Sequence, residues 1–136
     1  MYWTQGDYIL TDDTSRLDID AITQLLAGSY WAANRSRRTM QKAIEHSICF
    51  GLFREDRQVG FARAVTDHAT FTWVCDVIIH PEHQRKGLGT WMVKCLLEHP
   101  DLQTTTQVLR TKDAHGLYEK FGFQGTEYMR RSSNPL

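Results

Sequence analysis

Asp76-Val77-Ile78-Ile79-His80-Pro81-Glu82-His83-Gln84-Arg85-Lys86-Gly87-Leu88-Gly89-Thr90 is the stretch on which the fold turns. Its first residues end an apolar run that begins at Phe71 and reads as a strand. His80 to Lys86 is polar and reads as a loop. Leu88, Trp91, Met92, Cys95 and Leu96 then fall on one face of a helix, with Pro100 beyond its end. The first turn of a helix leaves backbone N–H groups unpaired and carries a partial positive charge. Glycines at 87 and 89 let the main chain approach a phosphate closely and take positive φ where required. Gln84, Arg85, Lys86, Gly87, Leu88, Gly89 and Thr90 therefore form a candidate diphosphate cradle. No Gly-Lys-Ser/Thr follows, so it is not the nucleotide P-loop, and the third glycine of the dinucleotide fingerprint is missing. A glycine-rich turn that only starts a helix is the plainer alternative.

Working outward, 48–54 and 58–66 read as two strands joined by a hairpin at Glu55-Asp56-Arg57. Asp18 is a helix N-cap between staple residues Leu17 and Ile22, and Ile19, Ile22, Leu26 and Tyr30 follow with helical spacing. Ser36 caps a second helix that buries Met40, Ala43, Ile44 and Ser47. Residues 8–10 make a short first strand. Downstream, 107–111 is a strand, and Ala114, Leu117, Tyr118 and Phe121 form a short helix capped by Asp113 and stopped by Gly122. Residues 124–129 close the order as a last strand. The sequence β-α-α-β-β-β-α-β-α-β predicts an α/β layered domain with a mixed sheet. With no repeat, linker or low-complexity run, residues 1–136 are expected to be one domain.

Composition narrows the function classes. Apolar residues are 41% and charged residues 24%, enough for a packed core. Sixteen basic and sixteen acidic side chains cancel, so no general attraction to nucleic acid or a membrane surface is expected. The longest apolar run is far too short to span a bilayer, and the first residues do not read as a signal peptide. Cys49, Cys75 and Cys95 are odd in number and widely spaced, and read as reduced core thiols of a cytoplasmic protein. His80, Glu82, His83 and Cys75 match no common zinc spacing, so no metal is expected.

The Gln-x-x-Gly-x-Gly at 84–89, after its apolar strand, resembles the acetyl-CoA signature of the GCN5-related N-acetyltransferase (GNAT) family. Asp113-Ala114-His115-Gly116-Leu117-Tyr118-Glu119-Lys120-Phe121-Gly122-Phe123 resembles that family's later tyrosine helix and Gly-Phe exit. The likeness covers about 48–129. It implies a splayed, mixed sheet of six or seven strands flanked by about four helices. It also implies acetyl-CoA as co-substrate and a primary amine, on a small molecule or peptide, as acceptor by direct attack on the thioester. Such enzymes hold the pantetheine arm beside main-chain groups equivalent to Val77, Ile78 and Ile79, and the diphosphate at 84–90. Homodimers are common among them. A CoA-binding sensor or interaction domain without catalysis is the alternative from another class.

The resemblance implies some site residues, and the residues themselves suggest others. Tyr118 matches a tyrosine that points at the sulfur and donates a proton to the leaving thiolate, although a core aromatic would occupy this helix face equally well. Asp113 has two roles open, helix cap and cofactor contact. Asp76, inside an apolar strand, is a candidate general base, or a buried carboxylate paired with an arginine. Tyr30, Trp31, Arg35 and Arg38 gather aromatics and cations where an acceptor with a carboxylate or phosphate would bind, or else form a solvated loop. Arg63 and Trp73 are further candidates, with sheet packing as the equal alternative. Asp67 is a weaker base candidate, and His115 is expected to be exposed.

Overall fold

The computed structural model describes residues 1–133; positions 134–136, counted in the expected single domain, lie outside them. Six strands form one sheet: β1 (Tyr2–Gln5), β2 (Tyr8–Thr11), β3 (Ile48–Arg54), β4 (Arg57–Thr66), β5 (Phe71–Ile79) and β6 (Thr106–Leu109). Their order in space is their order in sequence, and every pairing is antiparallel except β5 with β6. Four helices flank them: α1 (Ile19–Ala27), α2 (Arg37–Glu45), α3 (Leu88–Leu97) and α4 (His115–Glu119). The mixed, open sheet with four helices is the architecture the resemblance implies.

Each face of the sheet has its own core. On one side α3 presses Leu88, Met92, Cys95 and Leu96 onto Leu10, Phe50, Leu52 and Val74. On the other, α1 and α2 bury Ile22, Leu26, Met40 and Ile44 against Cys49 and Phe61. Alternation along β3 assigns Cys49 to one face and Phe50 to the other, as strand geometry requires. The expected caps are present. The Asp18 carboxylate accepts from the Asp20 and Ala21 amides, each at 3.1 Å, and Ser36 Oγ accepts from Thr39 N at 3.1 Å.

The structure corrects several local expectations. β1 is an additional strand, paired with β2 through a turn in which Gly6 has φ 57. α1 stops at Ala27, with Gly28 at its C-cap, so Tyr30 lies beyond it. There Ser29 Oγ donates to Leu26 O at 2.7 Å and accepts from Ala32 N at 3.0 Å, holding the chain in a tight turn. Asp113 does not cap α4: the N-cap position is Ala114, whose N–H donates to Thr111 Oγ1 at 2.9 Å. Residues 124–129 form no strand. Gln124 to Glu127 offer no apolar face, and Met129 is fully exposed, so nothing drives that segment onto the sheet. Tyr128 instead packs its ring edgewise on Trp73, centroids 6.3 Å apart.

Candidate active site

The site is built where β5 parts from β6 and its ladder with β4 slips. Pairing of β5 with β6 ends at Val74 opposite Leu109, while β5 continues to Ile79. Beyond Val74 the two parallel strands splay, and main-chain groups of β5 on that side have no strand partner. The β4–β5 ladder also slips between Phe61 and Arg63, which face Ile78 and Cys75. Asp76 and Val77 therefore both stand opposite Ala62, a bulge on β5. Asp76 takes φ 55 there, the left-handed region that aspartate enters more readily than most side chains.

That bulge is fixed by Asp76, whose side chain is 1% exposed. Arg35 Nη1 and Arg63 Nε donate to its Oδ2 at 2.7 and 2.8 Å, and Trp31 Nε1 donates to Oδ1 at 3.1 Å. Arg63 also reaches Ser47 Oγ at 3.1 Å. A buried carboxylate is costly unless paired and hydrogen-bonded, and both conditions are met. One side chain thus ties the turn after α1, the strand β4 and the bulge together.

Two adjoining cavities open at the splay, sharing Tyr30, Trp31, Val77, Asp113, Ala114 and Tyr118 as a common wall. The larger, about 640 Å³, is lined further by Ile78, Ile79, Gln84, Arg85, Gly87, Leu88, Gly89 and Thr90. α3 begins here with Gly87 as its N-cap, at φ 75 and without a side-chain cap, so its first amides are free to meet an anion. A Cβ built at Gly87 would meet nothing within 4 Å, so the space in front of the helix is open. Gly89 does not use positive φ; its Cα lies against Ile79, whose Cγ1 would stand 4.0 Å from a Cβ. Gln84 Nε2 donates to Ile79 O at 2.9 Å and fastens the loop to the strand end.

The smaller cavity, about 410 Å³, is lined by Arg35, Arg63, Trp73, Asp76, Arg110, Tyr128 and Arg130 besides the shared residues. Cys75 also faces it, but burial pushes the Cys75 thiol up to about 12, so it stays protonated and a poor nucleophile. Tyr118 lines both cavities. Burial raises its pKa first, and the neighbouring Tyr30 and Asp113 raise it further, so the phenol is fully protonated at neutral pH. Its ring packs edgewise on Phe123 at 5.9 Å, and its hydroxyl has no hydrogen-bond partner among the described residues.

Not every expected residue arrives. Lys86 is exposed and outside the cavities, its Nζ 3.5 Å from Tyr8 Oη. Arg38 is exposed on α2 and lines neither cavity, and Arg37, a cation in the first turn of α2 where the helix dipole disfavours it, pairs with Asp20 at 2.8 Å. Asp67 serves a turn, accepting from Ala69 N and Thr70 N at 2.9 and 2.7 Å. Arg110, Tyr128 and Arg130 line the smaller cavity and His83 the larger, and no sequence motif marks them, since each lies beyond the motif it follows or in a loop without a pattern. Tyr8 Oη lies 2.8 Å from His83 Nδ1, and burial with the nearby Lys86 charge lowers the His83 pKa, so the ring is neutral beside the loop.

His80, Glu82 and His83 bring three ligand atoms within 4.8 Å of one another. His80 Nδ1 already accepts from Glu82 N at 3.1 Å, so the neutral ring carries its proton on Nε2 and keeps no lone pair for a metal. Among the described residues no helix is long and apolar enough to cross a membrane.

Residues 45–125 match the family model of the acetyltransferase (GNAT) domain. An acetyltransferase of Gibberella zeae is 37% identical over 116 residues, 71% of this chain and 66% of that protein. An N-acetyltransferase of Porphyra purpurea is 29% identical over 123 residues, 85% of this chain and 70% of its own length. The chain thus spans roughly two thirds of the length of these curated relatives. A crystal structure of a GNAT-family acetyltransferase from Xanthomonas campestris pv. campestris aligns with a TM-score of 0.89 at 38% identity, covering 95% of both chains.

Proposed function

The chain belongs to the GNAT family of acetyltransferases, and on that premise we propose that it moves an acetyl group from acetyl-CoA to a primary amine of a small molecule or peptide. The observation that carries this reading is the meeting of two cavities at Tyr118, one headed by the uncapped start of α3 and the other by aromatics and arginines. Acetyl-CoA would supply the thioester carbonyl and the leaving thiolate. The amides from Gly87 onward, with Arg85 and Gln84 beside them, hold the diphosphate. Unpaired main-chain N–H groups of β5 at the bulge polarise the carbonyl. Bringing amine and thioester to the common wall supplies proximity. Tyr118 donates its proton to sulfur as the C–S bond breaks, and recovers one from the attacking amine through water, so protons balance without a second acid.

Asp76 takes the anchoring role in this scheme rather than that of base. Its two oxygens already receive three donors, two of them guanidinium cations, and are taken up in that network. Tyr118→Phe tests the assignment. We expect kcat to fall at least tenfold in a thiol-release assay, with acetyl-CoA affinity by calorimetry unchanged. Unaltered turnover removes Tyr118 from the mechanism. A wild-type protein that binds CoA yet releases no thiol with any pooled amine would favour the sensor alternative.

A further inference from the structure

We infer that the acceptor is an amine on a flat, partly apolar body that also carries a carboxylate or phosphate, and that Arg110 and Arg130 receive that anion. The inference rests on the acetyl-transfer reading above and adds the acceptor's class. The donor's diphosphate claims the cavity headed by α3, which leaves the 410 Å³ cavity on the other side of Tyr118 for the acceptor.

Charge in that cavity is unbalanced. It contains four arginines against two aspartates in a chain whose formal charge is zero. Asp76 engages both Arg35 and Arg63, so those two cations share its one carboxylate and are held in place by it. Arg110 and Arg130 have no carboxylate within ion-pair distance among the described residues. Arg110 directly follows β6, and Arg130 lies two residues past Tyr128. A guanidinium presents a planar fork that suits carboxylate and phosphate. A polycationic acceptor would meet like charge.

The walls give the second half of the class. Trp31, Tyr128 and Tyr30 line the cavity and are 38%, 50% and 58% exposed overall, and Tyr128 stands edgewise to Trp73. Large aromatics left open to water around one cavity lose that exposure when a flat ligand covers them. The volume lies at the small end of ligand sites, which favours a molecule of amino-acid size over an extended peptide.

Three amines test this: phenethylamine, 4-(2-aminoethyl)benzoate, which adds a carboxylate to the same skeleton, and spermidine. Binding to the CoA-saturated protein is read from tryptophan fluorescence, since Trp31 and Trp73 both line the cavity, and thiol release is read in parallel. The carboxylated amine should bind at least tenfold more tightly than phenethylamine, with spermidine weakest. Arg110→Ala with Arg130→Ala should erase that tenfold preference while leaving acetyl-CoA affinity unchanged; Arg110→Gln alone, at an exposed position, should halve it or more. Equal binding of the pair, preference for spermidine, no binding by any of the three, or an anion preference that survives the double substitution would each overturn the inference. Failure of acetyl-CoA itself to bind would instead overturn the transfer reading, so the two failures are separable.

Discussion

Replacing Asp76 by asparagine removes one charge and almost no volume, and its cost can be worked from the contacts. Oδ2 accepts from two guanidinium groups and Oδ1 from an indole N–H. Donors therefore approach both oxygens, and whichever way the amide is turned its NH2 faces a donor. The flanking arginine side chains are only 23% and 14% exposed, so water compensates poorly. Hydrogen bonds to charged groups contribute about 1.5–3 kcal/mol each, and removing one member of a buried pair costs about 3–5 kcal/mol. Asparagine keeps the tolerance for φ 55 and one good acceptor, which points to the lower end, about 3 kcal/mol. Urea unfolding should show the midpoint reduced by about 1–2 M with an unchanged slope. In the same variant the acceptor KM should rise, because Trp31 and Arg35 lose their anchor, while the shape of the kcat pH profile is retained. A stability within about 0.5 kcal/mol of wild type, the range of ordinary surface changes, would refute the anchoring argument. Full stability with an abolished acidic limb of the pH profile would restore Asp76 as the base.

Gly87→Ala should cost about 1–2 kcal/mol from left-handed backbone alone, since nothing lies near the added Cβ, and should weaken acetyl-CoA binding at least fivefold in calorimetry because the methyl enters the space before α3. Asp12 gives a pH test. Burial opposes ionisation, but hydrogen bonds from the N-terminal ammonium at 2.7 Å and His99 at 2.8 Å outweigh it and lower the carboxyl pKa. A depressed folded pKa means that the unfolded chain binds more protons as pH falls, so this stabilisation is complete above about pH 5 and is lost as pH drops below about 4, through the folded value. Urea midpoints of Asp12→Asn and wild type should therefore converge toward low pH; a constant gap would contradict it. Native Cys49 and Cys75, both pushed up to about 12 by burial, should resist a thiol reagent at pH 8 until denaturant is added.

Much of the frame could be read from residue order. The apolar run from Phe71, the polar loop and the spaced Leu88, Met92 and Leu96 mark β5 and α3 because period and punctuation are local. Asp18 and Ser36 announce helix starts for the same reason. What the chain hides is non-local. Trp31, Arg35 and Arg63 converge on Asp76 from separations of 45, 41 and 13 residues, and no spacing rule links them. The β5 bulge depends on the register of β4, which a single strand does not reveal. Tyr2–Gln5 is short and mostly exposed, so it lacks the alternation that marks a half-buried strand. The reverse holds at 124–129, where β-formers such as Thr126 and Tyr128 find no partner strand among the described residues.

Calorimetric titration of acetyl-CoA into the wild-type protein and Gly87→Ala tests the diphosphate cradle most directly. One-to-one binding that weakens in the variant, and is competed by CoA, is the predicted result. A wild-type protein that takes up no acetyl-CoA at millimolar concentration would contradict it.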